Sequence, residues 1–260
     1  MKYLSYKLRS GAVLLLSIVL FVVTGFSASV HAAQWQVVPI SLDLGHKTKS
    51  GVITVRNTGE DILQVSVMAK EWKQDGAGKD QYSDTRNLIF FPKVLQIKPN
   101  SERVIRVGVK APAIKNEQTF RLYIKEAVSP TSRSSQVAVA LQFGAPIFVQ
   151  PLEENISGEI ADIKIEDGHI NFSVKNVGNT HFRTTRIEVI GKDDSGQQLF
   201  NQELKGWYVL AGATQYHKTE VPSNVRSSLK TIDLKIVTDR MELFKAVDFI
   251  GSDKFPPLSE

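Results

Sequence analysis

Val137, Val139, Leu141 and Phe143 stand at every second position of one run, so an extended strand would carry all four on a single face. The chemistry open to such a row is recognition: a strand whose bare side chains fill a gap in another sheet. Ahead of it lies the polar, turn-rich segment from Ser129 to Ser135, which cannot bury apolar area and is expected to stay mobile until something orders it. A mobile segment running into a one-sided apolar strand suggests a strand that can be lent. The competing reading is an ordinary sandwich strand whose apolar row faces its own core.

Bond-making chemistry finds little support. The sequence holds no Gly-Xaa-Ser-Xaa-Gly elbow, no glycine-rich phosphate loop and no His-Glu-Xaa-Xaa-His zinc signature. Outside the N-terminal segment the histidines are His46, His169, His181 and His217, scattered near expected turns and strand ends rather than at metal-ligand spacing. The carboxylate pairs Asp193-Asp194 and Glu153-Glu154 fall in loops marked by Gly or Pro, where solvated charge is the simpler account. The reading is therefore a protein that is not an enzyme and needs neither cofactor nor metal.

The N-terminus sets the compartment. Lys2, Lys7 and Arg9 precede an apolar run from Gly11 to Phe26, and Val30-His31-Ala32 offers small residues at cleavage positions, the pattern of a secretory signal over residues 1–32 cut after Ala32. Cleavage removes three basic and no acidic residues, taking the formal charge from +5 to +2, so the basic balance gives no argument for nucleic-acid binding. With no cysteine in the chain, an oxidising compartment is tolerated but no disulfide can staple the fold.

The elements that must position the row are strands. Short alternating runs recur at Gly51–Arg56, Ile62–Val67, Val104–Val109 and Phe120–Lys125, separated by Gly, Asn, Asp and Pro, and no long stretch has helical period. The second half repeats the first. Thr54-Val-Arg-Asn-Thr-Gly59 corresponds to Ser173-Val-Lys-Asn-Val-Gly178 at an offset of 119 residues, each followed by a strand, Ile62–Val67 and Thr185–Ile190. The Asn and Gly of each copy read as turn formers, with Gly supplying a positive φ. The stretch from Ile97 to Arg106 has a looser counterpart from Leu210 to His217. The fold class is thus all-β, two tandem immunoglobulin-like sandwiches spanning 33–150 and 151–260, with the boundary near Gln150–Glu154.

Taken together, these stretches resemble the PapD-like periplasmic chaperones of pilus (fimbrial) assembly by the chaperone–usher pathway. The resemblance rests on Thr54–Gly59, on Phe91-Pro92 leading to Ile97–Arg106, on Asn116–Glu126 and on the alternating strand to Pro151; Gly206–Gly212 looks closer to the archaic, Csu-like branch. It implies an L-shaped pair of domains in the periplasm, pilin subunits and an outer-membrane usher as partners, and self-association or disorder capping the exposed strand when no subunit is bound. It also implies that the strand ending the first domain donates Val137, Val139, Leu141 and Phe143 to a subunit fold that lacks its last strand.

In the best-known members an Arg on the first strand and a Lys on the donor strand hold the subunit's terminal carboxylate between the domains. Here those positions fall near Ser41-Leu42-Asp43 and at Pro146, none of them basic. Arg121 and Lys125 alternate away from Phe120, Leu122 and Ile124 and are the replacement anchors expected, Arg121 first because its fork can grip a carboxylate in two places; Arg56 and Arg106 are weaker. The reading from another class is an exported two-domain adhesin or carbohydrate-binding module, which would present aromatic side chains on loop tips.

Overall fold

The structure, a computed structural model, describes residues 34–127 and 140–248. The expected signal over 1–32, the polar segment from Ser129 to Ser135, and Val137 and Val139 lie outside the described residues. No helix among the described residues is long and apolar enough to cross a membrane.

The first half contributes β1 (Trp35–Val38), β2 (Leu42–Leu44), β3 (Ser50–Asn57), β4 (Leu63–Gln74), β5 (Asp80–Asp84), β6 (Leu88–Phe91), β7 (Val94–Ile97), β8 (Ser101–Val109), β9 (Gln118–Glu126) and β10 (Gln142–Val149). One sheet runs β1-β3-β8-β6 and the other β2-β10-β9-β4-β5, with β7 also paired to β4. Their facing rows, including Ile53, Val55, Val65, Ile105, Leu122 and Ile124, close a core without a disulfide. Each expected strand of this half that falls among the described residues is present; β4 runs on to Gln74, well past Val67.

The second half contributes β11 (Gly158–Glu166), β12 (His169–Asn176), β13 (Phe182–Lys192), β14 (Gln198–Leu204), β15 (Tyr208–Val209), β16 (Thr214–Glu220), β17 (Thr231–Thr238) and β18 (Glu242–Asp248). Its sheets are β11-β12-β16 and β14-β13-β17-β18, with β15 paired to β13. Phe172, Val174, Phe182, Val189, Leu234 and Ile236 fill the space between them. Trp72 and Phe148, from the first half, belong to this second core. Both stand on the sheet face turned away from their own sandwich, and the described residues from Trp35 onward form one compact unit. Two fully buried aromatic rings contribute several kcal/mol at about 25 cal/mol per Å² of apolar surface, against roughly 0–1 kcal/mol for an exposed ion pair such as Arg56–Glu102.

The internal repeat has a physical basis different from the one expected. Asn57 Nδ2 donates to the carbonyls of Asp61 (2.7 Å) and Ile97 (3.0 Å), and its Oδ1 accepts from Gly59 N. Asn176 does the same with Thr180 (2.7 Å), Val209 (2.9 Å) and Gly178 N. Each buried amide thus ties a strand end to the loop that crosses to the other sheet. Neither Gly59 nor Gly178 has a positive φ. At Gly178 the requirement is closeness: a Cβ there would lie 2.2 Å from the carbonyl oxygen of Asn155.

Candidate functional site

Strand β10 pairs antiparallel with β9, setting Ile147 opposite Phe120, Ala145 opposite Leu122 and Phe143 opposite Ile124. Ala145, Ile147 and Val149 are buried in the first core, Phe143 is half-buried against it, and Leu141 is 37% exposed. One alternating row therefore leaves the core as it is followed back toward Leu141, whose carbonyl still accepts from Glu126 N at 2.9 Å. The end near Val149 serves its own core, while Leu141 lies outside it. Of the four donor candidates, Phe143 and Leu141 lie on the described part.

The other flank of β10 is largely open. Strand β2 pairs with it in parallel only at Ile147–Val149, so residues 142–146 have no strand on that side among the described residues. Pro146 has no N–H, and an unpaired edge is where a proline is tolerated. Such an edge offers backbone groups to an incoming chain.

The opposite face of the same sheet carries Arg121. Register aligns Lys70, Arg121 and Pro146 in one row, and Arg121 is 8% exposed. Its guanidinium lies 3.9 Å over the Trp72 ring, Nη1 donates to the Gly144 carbonyl at 3.1 Å, and Nε is buried with no partner. No carboxylate among the described residues pairs with it. The nearby Asp80 is already occupied, accepting from Gln74 Nε2 (3.0 Å), Tyr82 Oη (3.1 Å) and Trp207 Nε1 (3.0 Å). Burial and then the Asp80 carboxylate push the Tyr82 hydroxyl up to about 12, with Arg121 pulling the other way. A cation taken from water without a counter-ion is costly, and a ring face offsets only part of that cost.

The remaining candidates separate by position. Lys125 shares the Arg121 face, exposed and without an ion pair among the described residues. Lys70 is engaged by Asp84 at 2.6 Å. Arg56 pairs with Glu102 and Arg106 stands on β8, both in the other sheet. Of Ser41, Leu42 and Asp43, the last two pair with Ile147 and Phe148 of β10.

Sequence reasoning missed the junction itself. His181 stacks on Phe148 with ring centroids 3.5 Å apart, and Tyr208 meets Trp72 edge-on at 5.3 Å. Gln74 donates to the Tyr208 carbonyl (2.9 Å) and accepts from Leu210 N (3.0 Å), while Gln215 donates to the Gly78 carbonyl (2.7 Å). The motif Gly206–Gly212, which the sequence marks out, is thus the stretch that seats the second sandwich on the β4–β5 hairpin. One carboxylate of each pair has a structural partner: Asp193 accepts from Ser195 N and Gln197 N of its own turn, and Glu154 pairs with Arg240. No group of three His, Asp or Glu side chains among the described residues converges as a metal site would.

The fold has counterparts among solved structures. No curated protein sequence matches the chain. Solved structures with the same fold include the Class 5 fimbriae chaperone CfaA, with 19% identity over 82% of this chain and 98% of that one and a TM-score of 0.55. They also include the CsuC–CsuE chaperone–tip adhesion subunit pre-assembly complex from archaic Csu pili of Acinetobacter baumannii, with 18% identity, the same coverages and a TM-score of 0.59. At such identities the likeness is one of fold, and it does not single out the Csu-like branch. Residues 36–154 match the family model of the pili and flagellar-assembly chaperone, PapD N-terminal domain. The first sandwich is thus similar to the PapD N-terminal domain of the pili and flagellar-assembly chaperones, and the match ends at residue 154.

Proposed function

We propose that this protein is a periplasmic chaperone that holds pilin subunits by lending β10 as a donor strand and delivers them to an outer-membrane usher. The observation that carries the reading is the course of β10: an alternating row that leaves its own core at Leu141, on a strand whose outer flank has no partner over residues 142–146 among the described residues. A subunit lacking its last strand would pair with that flank and receive Val137, Val139, Leu141 and Phe143 in its vacant core positions. Each fully buried aliphatic of that size contributes roughly 1.5–3 kcal/mol, so the row can outweigh the ordering of the chain before it. Arg121 would take the subunit's terminal carboxylate, and Lys125 would stand further along the same face. No nucleotide is required, because packing in the final subunit–subunit contact can drive the exchange. In the free protein, self-association would cover the open edge.

The test is periplasmic co-expression with the pilin-like proteins encoded nearby, reading co-purification for the wild type and for Val139→Glu and Leu141→Glu. Recovery of a subunit by the wild type and its loss in both charged variants is the expected result. Equal recovery by variants that remain folded would end the donor-strand reading and favour an exported binding module.

A further inference from the structure

Arg121 sits among three rings, two of them from the second sandwich. Its guanidinium carbon is 3.9 Å from the Trp72 centroid, 5.7 Å from that of Tyr208 and 5.8 Å from that of Trp207. The rings hold one another: Tyr208 meets Trp72 at 82° and Trp207 at 87°. Trp207 is fixed to the first sandwich through its hydrogen bond to Asp80, and the Tyr208 backbone through Gln74. Among the described residues one hydrogen bond, to the Gly144 carbonyl, orients the guanidinium, and the ring faces set the rest of its pose.

We propose that Trp207 and Tyr208, together with Trp72, are positioning residues for Arg121, so that capture of a terminal carboxylate requires the second sandwich to be seated on the first. This rests on the reading of Arg121 as the anchor. Rings around the cation keep water away and spare it the loss of rotamer freedom on binding, which strengthens its pull on a carboxylate but not on a neutral amide. The same Asp80 that clamps Trp207 accepts from three donors and makes no ion pair with Arg121 among the described residues.

Trp207 is 48% exposed, so its removal opens little of the core and gives the clean variant. The probe is a synthetic Val/Thr-alternating peptide made as the free acid and as the C-terminal amide, and the readout is the ratio of the two affinities by calorimetry at fixed ionic strength. The wild type is expected to prefer the acid about tenfold, Arg121→Ala to abolish the preference, and Trp207→Ala and Tyr208→Leu to lower it by about threefold or more with affinity for the amide unchanged. Trp207→Phe, which keeps a ring, should recover part of it. A purely structural role would weaken acid and amide alike and leave the ratio intact. If the ratio survives Trp207→Ala and Tyr208→Leu but not Arg121→Ala, the positioning role is overturned and the anchor stands. Absence of any preference, or of binding, in the wild type would overturn both.

Discussion

Glu117 of the first sandwich accepts two hydrogen bonds from His181 of the second, from its backbone N at 2.9 Å and from Nδ1 at 2.8 Å. The two side chains are only 2% and 10% exposed, and the imidazole is clamped between that carboxylate and the Phe148 ring. Asn179 adds bonds from its Nδ2 to the Lys115 and Glu153 carbonyls, both at 2.8 Å. The junction therefore combines these hydrogen-bonded polar groups with an aromatic centre in which Trp72 Nε1 and Arg121 Nε stay buried without a partner among the described residues.

Glu117→Ala removes the acceptor for both donors of His181. Leaving them buried costs on the order of 1–3 kcal/mol each, whereas Glu117→Gln keeps a carbonyl for one of them and should cost less. Urea unfolding should show the order wild type, Gln, Ala in falling midpoint; an Ala variant as stable as wild type would mean that the pair does not hold the junction.

The repeated amides make a paired prediction. Asn57→Ala and Asn176→Ala each strand two buried carbonyls and one backbone N–H, so each should lose on the order of 2 kcal/mol or more, with Asn→Asp little better because the carboxylate cannot donate. Thermal melting of the two variants checks it, and a loss confined to one of them would show that the two copies do not carry equal weight.

His217 supplies a pH dependence. Desolvation holds its imidazole down to about 4, where it lies against Phe172 with Nε2 buried and unpartnered. A folded-state value below the unfolded one near 6.5 means that the unfolded chain binds the extra proton first. The stability attached to the neutral ring is full above about pH 6.5 and is lost as pH falls toward 4. His217→Phe should lose less stability than wild type between these limits; identical pH profiles from chemical unfolding would refute the assignment.

Gly206 leads into the segment that seats on the β4–β5 hairpin, and a Cβ there would stand 2.3 Å from Thr184 Cβ and 2.6 Å from its carbonyl oxygen. The backbone has to give way, displacing Trp207, whose carbonyl accepts from Thr184 N at 3.0 Å. Gly206→Ala should lower the melting temperature and raise the solvent exposure of Trp207, read by fluorescence quenching. Unchanged quenching would show that the segment tolerates the shift.

Much of this is legible in the sequence. Period-two patterning identifies the strands and the faces on which Phe120, Leu122 and Ile124 oppose Arg121, because side-chain alternation is a local property of an extended chain. The repeated Asn-Xaa-Gly marks equivalent corners of two sandwiches, although its action through a buried amide rather than through a glycine turn could be seen only with the carbonyls of Ile97 and Val209 in place. The counterpart of Ile97 is thus Val209, one residue before the Leu210 that the sequence alone suggested.

The sequence by itself determined that the chain is all-β, that it is built twice, and that one strand carries an apolar row; each follows from patterns only a few residues long. The tertiary structure alone decided that the row leaves its core at Leu141, that Trp72 and Phe148 pack into the other sandwich, that His181 finds Glu117, and that Arg121 lies among three rings with no counter-ion among the described residues. Those partners come together only through sheet register and the docking of one sandwich on the other. Such contacts depend on where distant faces meet, and no local spacing encodes that.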